Sequence, residues 1–271
     1  MIPQKLKPAA YRLASALKPV LPYGILANLA QWLTAYTHEA DFEIFECLAD
    51  TRGLVLDVGA CRGQSALSIL RRARRLRVVS VEPNRKHRWS LLVIGLLHPS
   101  RFRFHLVAAG DERGSGILHV PGRRASGLSA QGSLDPAEFE KDYVQARLAE
   151  SGFDARDKAG YRHMPVKIMP LDDLGLSPDM IKLDVEGFES QAIKGLQKTL
   201  RDGYPVLLIE VNNRERWLPQ LTEMGYRFYH YDPDQKDLEP ADYPGQKLNL
   251  FCLHPQSHTA ISRKLQESIR R

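Results

Sequence analysis

Cysteine is scarce in this chain: Cys47, Cys61 and Cys252 are three in number and far apart. That pattern excludes a disulfide framework and the paired spacing of a structural zinc site, and makes a reducing cytoplasm the expected setting. Long apolar runs are missing as well. Lys5, Lys7, Arg12 and Lys18 are scattered through the N-terminus and Pro19 and Pro22 interrupt it, so no span is long enough to cross a bilayer. A signal-peptide core with a cleavage site is not visible. No internal repeat recurs, and 19 glycines and 17 prolines in 271 residues exclude collagen-like and low-complexity chains. Helix-turn-helix, zinc-finger and aromatic RNA-binding signatures are lacking too. Arg71, Arg72, Arg74, Arg75 and Arg77 therefore read as a solvated helix face, despite a net charge of +6 that would attract phosphate or anionic lipid.

What is present is enough apolar sequence for a full core, 43% of residues, arranged as short β-branched runs alternating with helical spacing. Strands are expected at 54–58, 78–81, 102–108, 180–183 and 206–211, with helices at 65–75, 85–97, 189–201 and 217–224. That alternation predicts an α/β fold with a parallel sheet. Runs at 226–231 and 248–253 look like a closing antiparallel pair. The expected organisation is an N-terminal helical extension over 1–50, a main domain over 51–256 and a basic tail or helix over 257–271. Within the main domain, 110–166 is irregular and glycine-rich, as a substrate lid would be. Residues 23–36 are apolar at helical spacing, which fits a helix packed on the main domain or one lying at a membrane interface.

Two features point to a ligand. After the first strand the chain reads LVLDVGACRGQS, where Asp57 ends the strand and Gly59 and Gly63 make a compact turn into a helix. A dinucleotide turn of the G-x-G-x-x-G type would carry glycine where Cys61 stands, which weakens a nicotinamide reading. The second strand ends on Glu82, in VVSVEPNR, where a carboxylate can accept both hydroxyls of a ribose or cap the next helix. With no histidine apparent beside it, Cys61 reads as a packing residue.

DVGACRG, the acid in VEPN, AAGD at 108–111 and IKLDVEGFE followed by Gly195 together resemble the FkbM-type family of S-adenosylmethionine-dependent methyltransferases. The resemblance covers roughly residues 54–253, including LLIEVN and NLFCL. It implies a Rossmann-like class I methyltransferase fold, a seven-stranded, mostly parallel sheet with an antiparallel terminal hairpin. It also implies that Asp57, Gly59 and Gly63 lie at the methionine end of S-adenosyl-L-methionine, Glu82 at the ribose, and Pro83, Asn84, Ala109 and Asp111 near the adenine.

Acid is concentrated at the carboxyl ends of two further strands, where ligands bind in open α/β sheets. Asp184 and Glu186 follow the strand at 180–183, and Glu210 ends the next one. A positioned carboxylate can take the proton of an acceptor hydroxyl, so these three are the candidate catalytic residues. Lys182 shares a strand face with Asp184, which fits either a buried ion pair or a lysine that tunes the carboxylate, and Glu189 either joins the acid site or complements the dipole of the helix it opens. No metal site is assigned, although Asp184, Glu210 and Asn212 offer an oxygen set that would suit magnesium. The expected function is O-methyl transfer to a hydroxyl of a saccharide, glycolipid or secondary metabolite, with an RNA or lipid-headgroup methyltransferase, or a non-catalytic methyltransferase-like scaffold module, as the alternatives. The expected partner is a small-molecule or saccharide acceptor, with nucleic acid a poorer fit and peripheral membrane contact open. His105, His119 and His163 read as single surface or packing residues.

Overall fold

The computed structural model describes residues 23–34, 37, 39–122, 131–150, 153–154, 160–211, 213–241 and 249–269. Helix α1 (Tyr23–Thr34) and a 3₁₀ turn over Ala40–Glu46 precede the first strand, β1 (Gly53–Val58), which is followed by α2 (Gln64–Arg72) and β2 (Leu76–Val81). Then come α3 (Arg88–Leu97), β3 (Phe102–His105), β4 (Ala108–Ala109), β5 (Gly114–Val120), α4 (Asp142–Glu150) and β6 (Arg162–Met169). The second half runs β7 (Met180–Leu183), α5 (Glu189–Lys194), α6 (Gln197–Gly203), β8 (Val206–Glu210) and α7 (Arg214–Glu223). It closes with β9 (Arg227–Asp232), β10 (Asp237–Pro240), β11 (Asn249–Leu253) and α8 (Ala260–Glu267).

The main sheet has the order β10-β9-β11-β8-β7-β1-β2-β3. Strands β3, β2, β1, β7 and β8 pair in parallel, and β11 runs antiparallel to both β8 and β9. These are the seven expected strands with their closing antiparallel pair, and β10 adds an eighth at the edge. Alternation along each strand sends successive residues to opposite faces. Val55, Met180 and Leu208 therefore pack with Leu67 and Leu70 of α2 on one face. Leu56, Ile181 and Leu207 pack with Ile193, Leu200 and Trp217 on the other. Burial on both faces is what makes these strands mostly apolar, with Asp57 and Lys182 the charged exceptions.

Three expectations are corrected. The run 102–108 is not one strand: it breaks after His105, and Ala108–Ala109 pairs with Ile168–Met169 in a second, three-stranded sheet. The stretch 110–166 is accordingly more regular than its glycines suggest, because β5 and β6 pair antiparallel from Gly114↔Ile168 to Val120↔Arg162. The helix expected over 189–201 is two, α5 and α6, divided at Gly195–Leu196. Gly195 lies so near the backbone of Gly110 that a Cβ there would stand 1.9 Å from its carbonyl oxygen, which locks the helix break against the start of the second sheet. The chain end is a helix: α8 buries Ile261 and Leu265, and Thr259 caps it by accepting from the Ser262 N–H.

Candidate functional site

A cleft opens at the carboxyl ends of β1, β2, β7 and β8, and its lining includes Gly59, Glu82, Asn84, Asp184, Glu186 and Glu210. Pro83 and Ala109 line it as well. Four loops converge there because parallel strands all present their C-terminal ends on one side.

The glycine turn is fixed by backbone contacts. Gly59 donates to the Val81 carbonyl at 2.9 Å and has φ +82°, and a Cβ on it would stand 1.6 Å from the Asp184 carbonyl oxygen. The residue type is therefore dictated by the crossing of the β1 and β7 turns. Glu82 ties the turn to the loop after β2: Oε2 accepts from the Cys61 N–H and Oε1 from the Asn84 N–H, each at 2.7 Å. Burial pushes its carboxyl up to about 7, against the lowering effect of those two N–H groups.

Asp57, Gly63 and Asp111 stand elsewhere. Asp57 is fully buried beneath the cleft, where its two oxygens accept from the hydroxyls of Ser65 and Ser80, both at 2.8 Å. It clamps β1 to α2 and β2 instead of facing a ligand. Gly63 caps α2 with φ +90°, and a Cβ there would meet the Ile94 side chain at 2.2 Å, so it serves the packing of α2 on α3. Asp111 is exposed in the turn between β4 and β5, outside the cleft lining.

At the opposite end the acids form a linked group. Lys182, 6% exposed, donates from Nζ to Asp184 Oδ2 at 2.8 Å, one of the two arrangements expected from their shared strand face. Burial would lower the lysine, but Asp184 and Asp57 outweigh it and hold the ammonium above its ordinary value. Glu210 is raised well above the usual carboxylate range, first by burial and then by the charges of Asp184 and Glu186, and it shares a hydrogen bond with Asp184. Burial and the neighbouring acids thus push Glu210 toward its neutral form. Glu186 sits in a strained turn, with φ +49° before Gly187 at +96°. That turn wraps the carboxylate of buried Glu189, whose Oε1 accepts from the N–H groups of Val185 and Gly187 at 3.2 Å each. Glu189 is thus a turn-building acid, in place of a simple dipole partner.

Several site features were silent in the sequence. His87 lies with its Nε2 3.7 Å from the Cys61 sulfur, and both line the cleft. The absence of a neighbouring histidine was therefore the wrong reason to set Cys61 aside. The sound one is that burial and the Glu82 charge push its thiol up to about 12, leaving almost no thiolate. Glu39, from the N-terminal region, reaches the cleft and accepts from Asn249 at 2.8 Å. Glu138 anchors the segment before α4 by accepting from Lys141 (2.8 Å), Tyr143 (2.5 Å) and Asn213 (2.9 Å). His119 and His163 are not single: they are cross-strand partners on β5 and β6, with ring centroids 4.8 Å apart.

The donor set fits an adenosyl sulfonium. Glu82 offers a carboxylate for ribose hydroxyls, Val107 and Leu134 line the cleft with apolar surface suited to a purine, and the acids at 184, 186 and 210 suit positive charge. Magnesium is less well served. Lys182 already occupies Asp184 Oδ2, and among the described residues no group of three or more His, Cys, Asp or Glu is placed to hold a metal. Asn212, the third ligand considered, lies outside the described residues.

Residues 57–228, more than half of the chain, match the family model for the methyltransferase FkbM domain. The chain belongs to the FkbM family of S-adenosylmethionine-dependent methyltransferases. Among solved structures, this FkbM protein is similar to the FkbM methyltransferase of Methylobacillus flagellatus, at 18% identity and TM-score 0.46. That match covers 92% of this chain but only 59% of the Methylobacillus one. A methyltransferase from Geobacter sulfurreducens is 14% identical, with TM-score 0.41 and coverage of 90% and 97%. Human methyltransferase-like protein 13, solved with SAH, is also 14% identical, with TM-score 0.41 and coverage of 86% and 89%. No curated protein sequence matches the chain.

Proposed function

We propose that this FkbM protein transfers a methyl group to oxygen, acting on a hydroxyl of a saccharide, glycolipid or other secondary metabolite. The observation that carries the reading is the linked set Lys182, Asp184 and Glu210 at the cleft floor, set apart from the Glu82 end. S-adenosylmethionine, when bound, supplies a methyl carbon on a cationic sulfur. The residues to hold it are Gly59, Glu82, Pro83, Asn84 and Ala109, and the acids beyond them favour its positive charge.

An unactivated hydroxyl is a weak nucleophile until its proton has somewhere to go. Asp184 is the acceptor for that proton: Lys182 fixes its Oδ2, Glu210 shares a hydrogen bond with it, and it lines the cleft. Glu210, pushed toward its neutral form, limits the repulsion between the two carboxyls. Glu186, on its strained turn, is placed to hold a second acceptor hydroxyl. Orientation of the acceptor supplies much of the remaining rate.

Turnover of a competent hydroxyl acceptor tests these roles. Asp184→Asn removes the proton acceptor and is expected to slow turnover by about 10²–10⁴-fold with little change in cofactor affinity. Glu210→Gln keeps a neutral hydrogen-bonding group and is expected to cost about tenfold or less. Full activity in Asp184→Asn would overturn the assignment of the base.

A further inference from the structure

Helix α1 is built inside out. Its polar residues Asn28 and Gln31 are turned into the protein, 0% and 8% exposed. Asn28 donates to the carbonyls of Arg62 (2.7 Å) and Ser90 (3.2 Å), and Gln31 to the Gln64 carbonyl (2.9 Å) and the Ser68 hydroxyl (3.1 Å). Leu26 is buried, Trp32 is partly buried against the core, Ile25 and Leu29 stay partly exposed, and Leu33 is 64% exposed. Positions 25, 29, 32 and 33 share one helix face. An amphipathic helix on a soluble domain ordinarily does the reverse.

Helix α3, packed beside it, repeats the pattern. Its inner face buries Ser90, Leu91 and Ile94, and its outer face presents Trp89 and Leu96, 62% and 80% exposed, with Leu92 and Val93 half-buried between them. Of five exposed large apolar side chains among the described residues, three stand on these two helices. Single exposed hydrophobes are ordinary, but two adjacent helices turning apolar stripes outward are not.

Neither α1 nor α3 carries an acid. Arg71 stacks over Trp32 and Arg88 over Trp89, with the side chains 5.6 and 5.8 Å from the ring centroids, and Arg85 and Lys86 are exposed just before α3. The sequence has no acid between Glu82 and Asp111. Of the nearby acids, Glu46 pairs with Arg72 and lines a surface pocket with Asp50 and Arg71, and Glu39 and Asp41 accept from Asn249.

We infer that the outer face of α1 and α3 docks on an anionic lipid bilayer, with Leu33, Trp89 and Leu96 entering the headgroup boundary and Arg71, Arg85, Lys86 and Arg88 meeting lipid phosphates. Aromatic side chains flanked by arginine suit that boundary, and no helix among the described residues is long and apolar enough to cross it. The consequence for function is placement. Through Asn28 and Gln31, α1 grips the backbone of Arg62 and Gln64 in the turn that walls the cleft, so docking holds the methyl-transfer site beside the membrane surface. The docking claim does not depend on which acceptor is methylated.

Flotation of the full chain with vesicles of phosphatidylcholine, alone and mixed with phosphatidylglycerol, tests it. Binding is expected to the mixed vesicles only, to weaken as salt rises, and to fall at least tenfold in Trp89→Ser combined with Leu96→Gln. Ile117→Gln, at an exposed apolar residue on β5, is expected to bind as the parent does. Thermal melts of each variant confirm that the fold is retained. Failure to float with anionic vesicles, or equal binding by the folded double variant, would overturn the inference. So would a concentration-dependent dimer abolished by the double variant, which would assign the face to a second copy of the chain.

Discussion

Glu189 illustrates how a single buried side chain sets a pH dependence. Its Oε1 holds the turn of Val185 and Gly187, its Oε2 is buried with no hydrogen-bond partner, and burial pushes the carboxyl up to about 7. A folded-state value above the unfolded one means that the native protein binds more protons than the unfolded chain between about 4.5 and 7. Stability from this group is present below that window and declines as pH rises through it, by up to about 3 kcal/mol. Glu189→Gln keeps the acceptor for the two N–H groups without the ionisation. Relative to the parent, the variant is expected to gain stability between pH 5 and pH 8, as read by urea unfolding at the two values. Parallel loss of stability in both proteins would contradict the account. Glu82 is raised in the same direction inside the cleft, so cofactor affinity is expected to weaken as the pH falls below about 7 and the carboxylate is lost.

The elements that the sequence made legible are those whose pattern has a local cause. Parallel strands buried on both faces are mostly apolar, and so 54–58, 180–183 and 206–211 announced themselves despite Asp57, Lys182 and Glu210. The second sheet did not, because β5 and β6 are half-exposed and glycine-rich at one end, and their pairing joins residues roughly fifty positions apart. The same holds for the site. Glu82, Asp184, Glu186 and Glu210 sit at strand ends, which topology gathers together, whereas Asp57 faces inward because its side-chain alternation puts it between two serines. His87 and Glu39 belong to no strand end, and only the folded chain brings them to the cleft. Glu138 shows the cost of missing such links. It pins the 3₁₀ turn Pro136–Glu140 and α4 to Asn213 beyond β8, while Ser133 donates to the Glu186 carbonyl at 2.7 Å. Burial alone would raise Glu138, but its three donors outweigh burial and hold it below its ordinary value. Glu138→Ala is expected to destabilise the protein by about 1–3 kcal/mol. It should also raise the acceptor KM while leaving cofactor affinity unchanged, as steady-state kinetics and calorimetry would show. An unmoved acceptor KM would mean that this segment does not wall the acceptor.

For the whole molecule, the two ends of the cleft divide the labour. Strands β1 and β2 carry the glycine turn and Glu82, strands β7 and β8 carry the linked acids, and their parallel pairing through β1 and β7 fixes the distance between the two halves. Family membership and the donor set agree on S-adenosylmethionine, and the outward apolar face of α1 and α3 lies next to the same cleft. The most direct measurement is calorimetric titration of the full chain with S-adenosylmethionine. One equivalent is expected to bind to the parent and to Asp184→Asn alike, and at least tenfold more weakly to folded Glu82→Ala. No heat of binding from folded parent protein, or equal affinity in Glu82→Ala, would contradict the account.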